Sequence, residues 1–170
     1  MSQELMDLKQ SIIEGRYDDA LAIIDEWEWM SKEQILQKIE SFLVRLLVHL
    51  IKNQVEQRLT NSWVASIRDS ILKIQRLNLK PNKTSYYIKI NEWDNDLENA
   101  FKDAIFEASV EVQAGIYKPN QLRQMVDKVE VINTAKRLIS LTYNYSTEGL
   151  RDVIDDEFCN LPGGEDWNQK

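Results

Sequence analysis

One cysteine, one histidine, three prolines and five glycines are all that 170 residues hold of the types that usually carry metal sites, disulfides and sharp turns. Cys159 alone cannot build an internal disulfide framework, which fits a reduced compartment, so we expect a cytoplasmic protein. With His49 as the sole histidine, a zinc site made of cysteine and histidine ligands is excluded. Neither His49 nor Cys159 lies in a recognisable nucleophile motif. No glycine loop of the GxxxxGK[ST] or GxGxxG type is present to cradle a phosphate. The apolar run from Phe42 to Ile51 is broken by Arg45 and His49 and falls short of the roughly 20 residues that a membrane span needs. Glu4 and Asp7 stand where a signal peptide would place positive charge and an apolar run. We therefore expect no cofactor and no membrane association.

What remains is ordinary globular composition, 43% hydrophobic and 29% charged, and no strand-like alternation anywhere. The expectation is an all-α helical bundle of about five to seven helices, one domain over residues 1–160, with 161–170 as a flexible C-terminal tail that has no core to offer. Its organising element is residues 31–59. There Ile35, Ile39, Phe42, Leu43, Leu46, Leu47, Leu50, Ile51 and their neighbours wrap most of a helix. A single narrow polar stripe is left, carrying Arg45, Lys52 and, at its edge, His49. So apolar a helix has to be the central post of a bundle.

Around that post the sequence predicts a helix from Gln3 to Ile13 closed by Gly15, and a second from Asp18 to Trp29. Ser31 starts the central helix, because Ser31 and Gln34 have capping-box spacing. A helix from about Thr60 to Leu79 buries Trp63, Val64, Ile67, Ile71 and Ile74 and forms a hairpin with its predecessor. Pro81 marks a loop, 82–91 has no clear reading, and Asn91 caps a helix that Gly115 closes. Pro119 opens a helix running to about Tyr143, and Ser146 caps the last one.

Charge is distributed unevenly behind a net value of −7. Residues 1–30 carry eight acids and two bases, 31–80 four acids and nine bases, and 146–170 seven acids and two bases. Acidic ends lying across a basic middle would explain this pattern. A basic 31–80 segment that receives nucleic acid is the sharper reading, but the global charge opposes long-range attraction to phosphate.

Catalytic residues stay unassigned. Asp25 and Glu28, three apart on a predicted helix with Glu26 adjacent, are weak candidates for a hard cation such as magnesium, which takes oxygen ligands from more than one helix. That pattern would suit a metal-dependent hydrolase acting on a nucleotide or another phosphate compound. Trp27 and Trp29 are about 200° apart on a helix and cannot share one face, so one of them is expected at a rim or a partner surface.

Val48-His49-Leu50-Ile51-Lys52 after Leu46-Leu47, then Ser62-Trp63 with Ile67-Arg68 one turn on, resembles the DUF29 family of bacterial proteins, in particular its cyanobacterial branch. Ile24-Asp25-Glu26-Trp27-Glu28 is similar to the acidic segment that this family places before its HLLK-like helix. The likeness covers roughly residues 14–115, with Asn53 standing where the family commonly has an aromatic residue. It implies a compact helical bundle and carries no activity. It also marks Asp25, Glu26, Glu28, His49, Lys52, Trp63 and Arg68; with Arg45 of the polar stripe the charged residues and His49 are the candidate polar cluster, and Trp27, Trp29 and Trp63 are the candidate interface aromatics. The function expected from the whole is a protein–protein interaction module whose partner is another protein or a second copy.

Overall fold

A computed structural model describes residues 2–169. They form seven α-helices: α1 (Ser2–Ile13), α2 (Tyr17–Glu56), α3 (Asn61–Asn78), α4 (Asp94–Glu111), α5 (Pro119–Met125), α6 (Lys128–Asn144) and α7 (Thr147–Glu157). Short 3-10 turns follow α4 and α7, and the described residues contain no strand beyond an isolated bridge between Leu79 and Tyr86. The chain is thus an all-α helical bundle, as the periodicity predicts. Where the sequence suggests one domain over 1–160, the backbone divides into two compact units, residues 1–37 and 38–170.

In the N-terminal unit, α1 ends where Gly15 takes a left-handed φ of +73° and Arg16 N–H reaches back to the Ser11 carbonyl at 2.8 Å. Only Ser11 and Ala20 are buried among the described side chains of residues 1–30. The unit therefore has almost no core of its own.

A single helix, α2, replaces the two expected from 18–29 and 31–59. Nothing between Trp29 and Ser31 breaks a helix: Met30 is a good helix former, and no glycine or proline intervenes. Ser31 is an exposed residue in the helix interior, so its capping-box spacing with Gln34 is coincidental.

In the larger unit, α2 from Lys38 onward is the post that the sequence describes. Ile39, Leu43, Val44, Leu46, Leu47, Val48, Leu50 and Ile51 are all buried, and Lys52 and Asn53 join them. Gln57 turns the chain at φ 51°, and the Thr60 hydroxyl caps α3 by accepting from Trp63 N–H at 3.1 Å. Arg45 meets Asp69 and Lys52 meets Trp63, pairs placed symmetrically about that turn, so this half of α2 and α3 form the hairpin. The inner residues of α3 are buried as expected, and α3 also packs on α6 and α7.

Residues 79–93, which include the 82–91 stretch without a clear reading, are pinned in a non-helical path by one polar hub. The Asn78 side chain donates to the Ile88 carbonyl at 2.8 Å and accepts from Ile88 N–H at 2.7 Å. It also donates to the Tyr143 hydroxyl, which accepts from Trp93 Nε1 and donates to the Ile88 carbonyl. Burial pushes the Tyr143 hydroxyl up in pKa, which keeps that proton in place. Because of this anchorage α4 begins at Asp94 rather than at Asn91.

Asp127 interrupts the predicted helix from Pro119 by capping α6, its carboxylate accepting from Glu130 N–H at 3.2 Å. The break turns Met125 and Val129 out to solvent. Residues 161–168, read as a tail with nothing to bury, instead make specific contacts. Leu161 is buried, Asn53 donates to the Pro162 carbonyl at 2.8 Å, and Trp167 packs on Phe158. A Cβ on Gly164 would lie 2.0 Å from the Phe158 carbonyl oxygen, so only glycine permits this approach.

Candidate functional site

The polar stripe on α2 finds its partners inside the larger unit. Arg45 Nη1 lies 2.8 Å from Asp69, and its Nη2 is 3.3 Å from the Ser66 hydroxyl. Lys52, only 7% exposed, places Nζ 3.6 Å from Glu111 and 4.9 Å from the centre of the Trp63 ring, which Arg58 also covers at 4.6 Å. His49 lies between them, partly buried, with Nδ1 unpartnered. Burial, reinforced by Lys52 and Arg45, pushes its pKa down to about 4, so the imidazole is neutral at pH 7. Arg68 turns instead to Asp155 of α7 at 3.0 Å. Arg45, Lys52 and Arg68 are therefore held by separate partners, and with His49 they do not converge on a shared cavity.

Asp25, Glu26 and Glu28 are exposed in the N-terminal unit. Among the described residues no three His, Cys, Asp or Glu side chains come together as a metal site. The tryptophans divide: Trp63 is buried under its two cations, Trp27 is intermediate, and Trp29 is 64% exposed.

Trp29 is one of many. Leu5, Met6, Ile12, Ile13, Tyr17, Leu21, Ile24 and Met30 of the same unit are also exposed, and Ile13 reaches 67%. Eight acids accompany them within residues 1–30. The ion pairs of this segment are Arg16 with Glu14 at 2.8 Å and with Asp19 at 2.9 Å.

A second feature lies within the larger unit and was not legible as a site in the sequence. One face of α3, the 80–86 loop and the start of α7 enclose a cleft of about 800 Å³. Lys73, Arg76, Lys80, Lys83 and Arg151 line it against one acid, Asp69, which Arg45 and Lys73 already engage. Positions 73, 76 and 80 recur at helical spacing, a pattern that as sequence looks like any solvated helix face. Lys83 follows in the adjoining loop, and Arg151 arrives from a distant segment, the start of α7.

No helix among the described residues is long and apolar enough to cross a membrane. No curated protein and no solved structure matches the chain. The family model described as "Domain of unknown function DUF29" matches residues 5–135, and the chain belongs to that family.

Proposed function

We propose that the protein is an interaction module whose N-terminal unit docks onto a partner protein. One observation carries this reading. Nine of the sixteen large hydrophobic side chains exposed among the described residues lie between Leu5 and Met30, in a unit that buries almost nothing. A helix with an apolar stripe has to cover it against another element, and folded units below about 40 residues usually need association or cross-links to persist. With eight acids against two bases in the same segment, the matching partner presents an apolar helical face rimmed by Lys and Arg.

The readings based on hydrolysis and on nucleic acid have less support. Asp25 and Glu28 belong to no three-ligand cluster among the described residues, and Arg45, Lys52 and Arg68 of the basic segment are engaged by Asp69, Glu111 and Asp155. Affinity capture from native lysate, with the wild-type chain beside a Leu21→Asp, Trp29→Asp double variant, tests the proposal. It predicts one recurrent partner protein, recovered by the wild type and lost by the variant at unchanged melting temperature. Equal recovery by both chains would overturn it.

A further inference from the structure

The cleft between α3 and α7 has the chemistry of a ligand site that is independent of the docking surface. Five cations line it, and Arg76, Lys80, Lys83 and Arg151 have no carboxylate partner among the described residues. Ser146 and Thr147 bring the N-terminus of α7 to the same wall, where the helix dipole adds positive potential. Gln75 points to more than charge. It lies in the cleft wall and is 93% buried, and its Nε2 is consumed by the carbonyls of Thr142 at 3.0 Å and Tyr145 at 2.9 Å. That fixes its Oε1 as an acceptor, and Oε1 has no partner. Oε1 is itself covered, so what Gln75 contributes is a fixed stretch of cleft wall that ties α3 to residues 142–145.

The loop is ordered in advance of any ligand. Asn82 Oδ1 accepts from the backbone of Thr84 and Ser85, and Lys80 N–H donates to the Ser85 carbonyl at 2.9 Å. Lys83 itself is held at φ 60°, the left-handed region that side-chain-bearing residues seldom occupy. Tyr86, packed at a tilt on Tyr143 with ring centres 4.6 Å apart, and Tyr145 supply apolar wall between the cations. The volume falls within the roughly 300–1,000 Å³ of ordinary small-molecule sites. A net charge of −7 disfavours a long polyanion.

We propose that this cleft binds a phosphorylated small molecule of nucleotide size, its phosphate held by Arg76, Arg151 and the loop lysines and the rest of the molecule lying against Tyr86 and Tyr145. Residues 145–151, which form one wall, lie beyond the family-matched 5–135, while the walls from α3 and the 80–86 loop lie within it.

Titration calorimetry on the full chain at low salt tests it, with 5′-AMP, ribose 5-phosphate, inorganic phosphate and adenosine as probes. The expected result is one saturable site for AMP and ribose 5-phosphate, weaker binding of inorganic phosphate, which lacks the rest of the molecule, and none for adenosine. Exposed Arg76 and Arg151 can be changed without touching the core. Arg76→Gln with Arg151→Gln should weaken AMP binding roughly tenfold or more at unchanged melting temperature. Three results would overturn the proposal: no phosphorylated probe binding at millimolar concentration, affinity unaffected by the double variant, or a single-stranded oligonucleotide binding far more tightly than AMP at several chains per strand. Inorganic phosphate binding as tightly as AMP would overturn the nucleotide-sized ligand given to the cleft.

Discussion

The two units of this chain hold similar kinds of side chain and use them in opposite ways. Leu47, Ile51, Ile67 and Leu97 in residues 38–170 are fully buried, while Leu5, Ile13, Leu21 and Trp29 in residues 1–37 face solvent. Apolar periodicity is present in both, so periodicity identifies a helix without saying what covers it. In the larger unit the covering is the chain itself. In the N-terminal unit the described residues leave it open, and that asymmetry is the observation behind the docking proposal for residues 1–37.

The sharpest way to break this comparison is to truncate one apolar residue on each side. Leu47→Ala removes a fully buried side chain and should cost about 2–5 kcal/mol in urea unfolding, whereas Leu21→Ala should stay within about 0.5 kcal/mol. Comparable losses at both positions would show that residue 21 is covered within the free chain. Next in size is the hub over residues 79–93. Tyr143→Phe deletes the hydroxyl that joins Trp93, Asn78 and the Ile88 carbonyl, and should destabilise by about 1–3 kcal/mol in the same assay.

A pH scan separates the units as well. His49 has a pKa of about 4 in the folded chain against 6.5 ordinarily, so between those values the unfolded chain binds the extra proton. The stability it contributes is therefore complete above about pH 6.5 and is lost as pH falls toward 4. Its partial exposure limits this to about 1–2 kcal/mol. His49→Gln should flatten that part of the melting temperature profile. Smallest is a pair of serines: Ser146→Ala should cost about 1 kcal/mol because it removes the α7 cap, while Ser31→Ala in the middle of α2 should cost nothing measurable. Thermal denaturation of the two variants decides it.

The serine pair also shows how far the sequence can be read. Ser31 and Ser146 look equally like caps, yet only Ser146 follows a segment that has already left the helix. A capping box is local, and Met30 before Ser31 gives the helix no reason to stop. Asp127 was missed for the opposite reason, since the apolar period from Leu122 to Val129 runs through it without a visible break. The buried faces of α3 and α4 were legible because each spans several turns of one phase. Lys52, Gln75 and Asn78 were not, because a lone polar residue on an inner face takes its meaning from its partners. Those partners are Glu111 and Trp63 for Lys52, Thr142 and Tyr145 for Gln75, and Ile88 and Tyr143 for Asn78. The cleft was hidden for the same reason, since its cations come from α3, the 80–86 loop and α7.

Photocrosslinking in living cells tests the docking surface most directly, with a photoreactive amino acid at position 29 compared with one at Lys102, an exposed position on α4 of the larger unit. The docking account predicts a discrete adduct of one partner protein from position 29 and none from position 102. A chain that stays at its own mass with the probe at position 29, or that gives the same adducts from both positions, would contradict it.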